Sequence, residues 1–109
     1  MKQYEIWWAA LPAPAGRRPV LLLTRTGAYS YLNKVTAAEI TTTIRRIPVE
    51  VPLGRNEGLQ APCVANLDNI RTVPIDALTE KIGALSTTRH RVVKRALGYA
   101  FEWDELLRL

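Results

Sequence analysis

The chain has 109 residues, of which 48% are hydrophobic and 23% charged, and this globular composition argues against disorder. Because a chain of this length can build only one small core, we predict a single domain over residues 1–109. One Cys and one His cannot supply an intramolecular disulfide or a structural zinc site. No stretch resembles a membrane span or the apolar core of a secretory signal, which favours a cytoplasmic protein.

The charge balance is basic, because fifteen Lys and Arg face ten Asp and Glu, for a formal net charge of +5. A small basic domain suits either a phosphate backbone or an acidic protein partner, although the same charge could serve solubility alone.

The first four-fifths of the chain is predicted to form short strands. Tyr4–Ala10 is rich in aromatic residues, and Val20–Thr24 is a continuous apolar run typical of a strand buried on both faces. Val49–Leu53 alternates and is predicted to lie at a sheet edge, because Pro52 cannot donate a backbone hydrogen bond. The other segments predicted to be extended are Tyr29–Leu32, Lys34–Thr43, Cys63–Asn66, Ile70–Val73 and Lys81–Leu85, with a polar turn before Ile70.

The period changes near the C-terminus, where apolar residues recur at helical spacing and predict an amphipathic helix with Ser86 or Thr87 as its N-cap. The residues of this apolar face are Val92, Val93, Ala96, Leu97, Ala100 and Phe101. Several short strands followed by one helix predict a mainly β (α+β) fold, with the helix packed on a small barrel or sheet.

Three segments could bind an anion. Pro19 biases Arg18 towards an extended conformation, so the Arg18 side chain would project from a defined backbone, either as a solvated basic turn or towards a phosphate. Ile40–Arg46 carries three Thr and two Arg, which suit either a half-exposed strand end or donors to phosphate oxygens. The polar side chains in Asn66–Val73 could serve a turn or read a base edge.

These segments, in this order, resemble the MazF/PemK-like toxins of bacterial type II toxin–antitoxin modules. The resemblance covers almost the whole chain, and several individually weak motifs in register make it specific. The segments that carry it are Glu5–Ala9, Arg17–Leu23, Ile40–Arg45, Pro48–Leu53, Asn66–Val73, Ile82–Ser86 and the terminal helix.

The resemblance implies a small SH3-like β-barrel with a C-terminal helix, working as a homodimer. It implies an endoribonuclease that cleaves single-stranded RNA at a short preferred sequence, with neither a metal nor another cofactor, and so inhibits translation and growth. It also implies an acidic antitoxin that occupies the RNA groove.

The resemblance assigns roles to particular residues. The Arg before Pro in the family's Arg-Pro-apolar motif falls on Arg18, and the Thr of its apolar-Thr-Ser/Thr motif falls on Thr41, which makes these two the predicted catalytic residues. The predicted RNA-binding residues are Arg17, Thr42, Arg45, Asp68 and Asn69. The loop Leu11–Arg17 is shorter than in many members and lacks their Gly-Ser-Glu-Gln-like segment, a departure that bears on cleavage specificity.

Such a site fits cleavage in which the neighbouring 2′-hydroxyl attacks the scissile phosphate. A guanidinium stays protonated at neutral pH, so Arg18 suits a charge-stabilising clamp, with Thr41 as a further donor and the general base unidentified. His90, the only histidine, titrates in the range that suits a base, but it is expected on the terminal helix, where a solvated histidine on the helix face is the alternative.

Two other functions remain open: a non-catalytic barrel toxin that poisons DNA gyrase, and a basic nucleic-acid-binding regulator. The Arg18–Thr41 pair argues against the gyrase-poisoning toxin, because such a toxin needs no pair that handles a phosphate. The early turns of the terminal helix add a separate clue. These turns carry cations where the helix dipole favours anions, and an acidic partner would explain that arrangement. The cations are Arg89, Arg91, Lys94 and Arg95.

Overall fold

The computed structural model describes residues 1–109 and has one antiparallel sheet of six strands, in the order β4-β5-β3-β2-β1-β6. The curled, mainly β architecture with a C-terminal helix confirms the predicted fold class. No helix is long and apolar enough to cross a membrane. The strands are β1 (Glu5–Ala10), β2 (Arg17–Leu22), β3 (Lys34–Thr41), β4 (Glu50–Leu53), β5 (Cys63–Pro74) and β6 (Leu78–Ala84), and the helices are α1 (His90–Phe101) and α2 (Asp104–Leu107).

Strand β2 lies inside the sheet and is buried on both faces, as its apolar run predicts. Val20, Leu21 and Leu22 are each 0% exposed. Because successive strand side chains alternate, Leu21 packs into one apolar cluster with Val93 and Ala96 of α1, whereas Val20 and Leu22 pack into a second cluster on the opposite face. The helix therefore covers one face only.

Strand β4 is an edge strand that pairs only with β5, as Pro52 predicts. The predicted pair of strands around a polar turn is wrong, because Cys63–Pro74 is one continuous strand. Between Ala38 and Ile40 of β3 the partner residues on β5 run from Ile70 to Ala65, so β5 bulges there. Residues 66–69, which are polar apart from the buried Leu67, form this bulge, which bends the sheet without ending the strand.

The predicted extended segment Tyr29–Leu32 is also wrong. Residues Thr26–Ser30 form a 3₁₀ turn anchored by the buried Ala28, and the backbone N–H groups of Tyr31 and Leu32 donate to the Ala28 carbonyl. This turn places Tyr29 beside the second cluster, so a strand-favouring aromatic residue serves as a cover for the sheet.

Helix α1 differs from the expectation at both ends. A 3₁₀ turn, Thr87–Arg89, precedes it, and Ser86 flanks that turn without donating or accepting a side-chain cap hydrogen bond. Phe101 is 49% exposed and stacks on Trp103 with ring centroids 4.8 Å apart, so its predicted place on the buried face is wrong. The reason is that Glu102, in the left-handed conformation, ends α1 and turns the chain into α2.

Candidate functional site

A groove of about 490 Å³ lies beside the start of β2 and the end of β3. It brings together four residues predicted from separate segments, namely Arg17, Arg18, Thr41 and Thr42. The other residues that line it are Trp8, Pro19, Ile40, Ile82 and five residues of the 58–63 segment, which are Gly58, Leu59, Gln60, Ala61 and Cys63. The groove thus combines cations and hydroxyls with an apolar lining, which suits a ligand with phosphates and flat bases.

Arg18 lies on β2 opposite Ala9, and its guanidinium is held by a carboxylate that the sequence reading missed. Arg18 Nη1 lies 3.5 Å from Glu39 Oε1, and Arg71 Nη1 donates to Glu39 Oε2 at 2.9 Å. No local pattern joins these three residues, because each lies on a different strand. Their contact depends on the sheet order β5-β3-β2.

Thr41 is the last residue of β3, opposite Val64. Its Oγ1 accepts a hydrogen bond from the Thr43 backbone N–H at 3.1 Å, which leaves its own O–H able to donate. The segment that follows leaves the sheet and is tied back by Glu50, whose carboxylate accepts the backbone N–H groups of Arg45 and Arg46 at 2.9–3.1 Å. Glu50 thereby fixes the chain just beyond Thr41.

Arg17 occupies the same groove by a different contact. Its guanidinium carbon lies 4.0 Å from the centre of a Trp8 ring, a cation–π contact, and its Nη2 lies 3.6 Å from Glu80 Oε2. Trp8 is a second functional candidate that the sequence reading missed. Strand alternation is the sequence signal that points to Trp8. Trp8 lies two residues after Ile6 on β1, so the two side chains share a face of the strand.

The structure does not bring all the predicted RNA-binding residues into the groove. Arg45 is exposed in the segment tied by Glu50, and Asp68 and Asn69 are exposed at the bulge of β5. None of the three lines the groove. Asn66, next to them, serves the backbone, because its Oδ1 accepts the Asp68 N–H at 2.9 Å.

Two other reactive residue types are poorly placed for chemistry. Burial, with a contribution from the Glu57 charge, raises the pKa of the Cys63 thiol, so the thiolate is disfavoured. His90 stacks on Tyr4 at 3.6 Å, and its Nε2 lies 3.2 Å from the Leu85 carbonyl, away from the groove lining. No group of three or more His, Cys, Asp or Glu side chains is arranged to hold a metal ion.

One predicted cation of the terminal helix region has a structural partner. Arg89 donates from Nη2 to the Pro52 carbonyl at 2.6 Å, and its Nη1 lies 3.4 Å from Glu57 Oε2. Arg89 therefore ties α1 to the edge strand. Arg91, Lys94 and Arg95 are exposed and have no ion-pair partner.

The sheet, the helix and the groove between the Arg-Pro and Thr segments define a small, mainly β domain with a cationic groove. The model of the PemK-like, MazF-like toxins of type II toxin–antitoxin systems matches residues 2–101, so the chain belongs to this family. It is 41% identical over 87 residues to the endoribonuclease MazF3 of Mycobacterium tuberculosis, covering 80% of this chain and 84% of that protein. It is 34% identical over 99 residues to the probable endoribonuclease MazF5 of the same species, covering 90% of each.

Solved structures agree with this membership. The M. tuberculosis toxin MazF-mt6 superposes with a TM-score of 0.85 at 39% identity, covering 90% of this chain and 96% of that chain. A mycobacterial endoribonuclease solved with its cognate antitoxin gives a TM-score of 0.80 at 24% identity, covering 94% and 95%, which shows a shared fold. The family resemblance drawn from the motifs is confirmed.

Proposed function

We propose that this chain is the toxin of a type II toxin–antitoxin module and an endoribonuclease that cleaves single-stranded RNA. The observation that carries the proposal is the meeting of Arg18 and Thr41 in one groove, although 22 residues separate them in the sequence. Family membership and relatives named as endoribonucleases support the same activity. The toxin domain spans residues 1–109 and acts in the cytoplasm, where its RNA substrate lies.

The reaction needs three things from the protein: alignment of the 2′-hydroxyl with the scissile phosphorus, stabilisation of the added negative charge, and proton transfer. Arg18 binds the non-bridging phosphate oxygens with its planar fork, and Thr41 donates a further hydrogen bond to them. The 2′-oxygen bonds to phosphorus and loses its proton, the bond to the 5′-oxygen breaks, and that oxygen gains a proton. The products are a 2′,3′-cyclic phosphate and a 5′-hydroxyl.

Arg17, Thr42 and Trp8 bind the flanking nucleotides in the same groove. Arg17 is more exposed than Arg18, with 57% of its side-chain surface accessible against 32%, which suits a contact with the RNA backbone. Arg45, Asp68 and Asn69 lie outside the groove lining, so their contribution is to RNA that extends beyond it. Their exposure supports this outer role.

The partner of the toxin is an acidic antitoxin, and its flexible segment blocks RNA by covering the groove. The net charge of +5 and the cations along the groove favour such a segment. A fold relative has been solved with its cognate antitoxin. The toxin itself acts as a homodimer, and Tyr99, Phe101 and Trp103 supply exposed apolar surface for self-association.

The test is incubation of the purified chain with a long single-stranded RNA in EDTA. We expect discrete cuts whose 5′ fragments end in a 2′,3′-cyclic phosphate, detected by mass spectrometry. Strict dependence on added Mg²⁺ would contradict the proposed chemistry. Inhibition of DNA gyrase without any RNA cleavage would favour the gyrase-poisoning toxin, and a gel shift alone would favour a nucleic-acid-binding regulator.

A further inference from the structure

Glu39 is a half-buried carboxylate just outside the groove lining, where it contacts Arg18, and its only side-chain partners are two arginines. Its oxygens lie 3.5 Å from Arg18 Nη1 and 2.9 Å from Arg71 Nη1. The Glu39 side chain is 19% exposed, and each arginine side chain is 32% exposed. Arg71 Nε is buried without a hydrogen-bond partner, so Glu39 supplies the one strong contact that holds the Arg71 head.

The strand register places Glu39 on the same face as the two proposed catalytic residues and next to both. Glu39 lies opposite Val20 of β2, and Arg18 precedes Val20 by two residues on the same strand. Thr41 follows Glu39 by two residues on β3. Because side chains two apart on a strand share a face, Arg18, Glu39 and Thr41 point to the same side of the sheet.

The contact uses only part of the Arg18 fork. A guanidinium has five N–H donors in a fixed plane, and Glu39 lies beside Nη1. The Nε and Nη2 donors stay available for two parallel hydrogen bonds to a phosphate. A carboxylate that holds one edge of the fork thus limits the orientation of the other edge.

We propose that Glu39 is a positioning residue, which holds the Arg18 guanidinium so that its Nε–Nη2 edge faces the scissile phosphate, with Arg71 holding Glu39 from the other side. The proposal rests on the proposed RNA cleavage. It goes further by naming a residue that neither the family motif nor the groove lining contains.

The charges of the cluster predict opposite effects on binding and on turnover. The Glu39 carboxylate repels a nearby phosphate, and Arg71 offsets that charge, so the three side chains together carry one positive charge. Replacing the carboxylate by an amide removes the repulsion, which tightens RNA binding. The same change releases Arg18, which slows the step that needs its orientation.

The experiment measures kcat, KM and the dissociation constant of an uncleavable RNA with a 2′-deoxy residue at the cut. For Glu39→Gln we expect kcat to fall roughly 10- to 100-fold, the scale of a misplaced catalytic group, while KM and the dissociation constant stay equal or decrease. The matched control is Glu80→Gln, which removes the same charge beside Arg17. It should leave kcat within about twofold of wild type.

A second variant separates charge from orientation. Glu39→Gln combined with Arg71→Gln restores the net charge of the cluster, so RNA affinity should return to the wild-type value while kcat stays low. A kcat for Glu39→Gln within about twofold of wild type would overturn the proposal. A change confined to KM would also overturn it. The same holds if Glu39→Gln and the double variant both lose kcat together with a fall in Tm, since that would indicate a structural role.

The failure of this proposal and that of the proposed function give different results. Wild-type protein that cuts no RNA in EDTA would overturn both. Active wild-type protein with an equally active Glu39→Gln variant would overturn only the positioning role.

Discussion

Two buried carboxylates on and just after the edge strand β4, Glu50 and Glu57, differ from Glu39 in what they bind. Glu50 and Glu57 are 8% and 7% exposed and accept backbone N–H groups, those of Arg45 and Arg46 for Glu50 and that of Gly54 for Glu57. Glu39 contacts only arginine side chains, because it accepts a hydrogen bond from Arg71 and forms an ion pair with Arg18. Glu50 and Glu57 therefore hold the backbone of their loops in place. Glu39 instead holds arginine side chains that can also bind an anionic ligand.

This difference predicts which property of the protein changes when each carboxylate is replaced. A buried carboxylate that satisfies backbone donors leaves them unpaired when it is replaced, so the free energy of unfolding falls. A half-exposed arginine cluster contributes little to stability, because solvent screens it, but it has preformed donors for an anion. The site and its supporting loop should therefore respond to mutation in different assays.

Removal of either proposed catalytic side chain should have the largest effect. We expect Arg18→Ala and Thr41→Ala each to lower RNA cleavage by roughly 10²-fold or more, the scale of a lost transition-state donor. The circular dichroism spectrum should match wild type, because Arg18 is half-exposed and Thr41 ends its strand. Wild-type cleavage by Arg18→Ala would contradict the proposed mechanism. Loss of the native spectrum would show that Arg18 is needed for the fold.

Much of the fold could be predicted from local patterns. The apolar run at Val20 indicates a doubly buried strand, Pro52 an edge strand, and the helical spacing of Val93 and Ala96 the helix that covers one face. The bulge of β5 could not be predicted in this way. Polar residues such as Asn66 and Asp68 favour a turn locally, but pairing with β3 on both sides keeps the strand continuous.

The site was predictable only where single residues carry it. The Arg18-Pro19 pair and the Thr run are visible in the sequence, and the structure brings them into one groove. Glu39 was not predictable, because its importance depends on two partners from other strands. Arg89 shows the opposite case, since a basic residue that local reasoning assigned to a partner is tied to Pro52 and Glu57 of its own chain.

Replacement of Glu50 should lower stability, whereas replacement of Arg18 or Thr41 should lower RNA cleavage. We expect Glu50→Gln to lower the free energy of unfolding by about 1.5–3 kcal/mol, the scale of hydrogen bonds to a charged group, because its amide N–H₂ would face backbone donors. For a domain of this size that corresponds to a fall in Tm of roughly 4–8 °C per kcal/mol. Thermal melts give the measurement, with the exposed Glu80→Gln as control. An unchanged Tm would show that the segment after Thr41 does not depend on Glu50.

Glu5 predicts a smaller effect that depends on pH. Burial alone would raise its pKa, but hydrogen bonds from Trp7, Lys81 and the Lys2 backbone, with the Lys81 charge, bring the pKa below its ordinary value. Its contribution to stability is therefore present at pH 7 and is lost as pH falls below the unfolded pKa of about 4.3 and through the folded value. Urea unfolding should show wild type more stable than Glu5→Gln at pH 7, with the difference shrinking towards about pH 3. A difference that stays constant with pH would contradict the role of the charge.

The smallest effect concerns α1, whose exposed cations lie where the helix dipole disfavours them. Reversal of Arg91, Lys94 and Arg95 to Glu should slow association with the acidic antitoxin by roughly tenfold at low salt, because steering acts on the encounter. Stability should not fall, since negative charge near a helix N-terminus is favourable. The matched control reverses Lys2, Arg25 and Lys34, which changes the net charge equally outside α1.

Stopped-flow association at about 50 and about 500 mM salt tests this helix directly, because the Debye length shrinks to a few ångströms over that range. If α1 faces the antitoxin, its variant should bind more slowly than the control at low salt, and the two should converge at high salt. Dissociation should change little, since apolar anchors in the groove hold the bound segment and exposed ion pairs contribute little each. Equal association rates for the two variants would mean that only the net charge acts. The cations of α1 would then be a solvated surface, unlike Arg18, whose partners are fixed by the sheet.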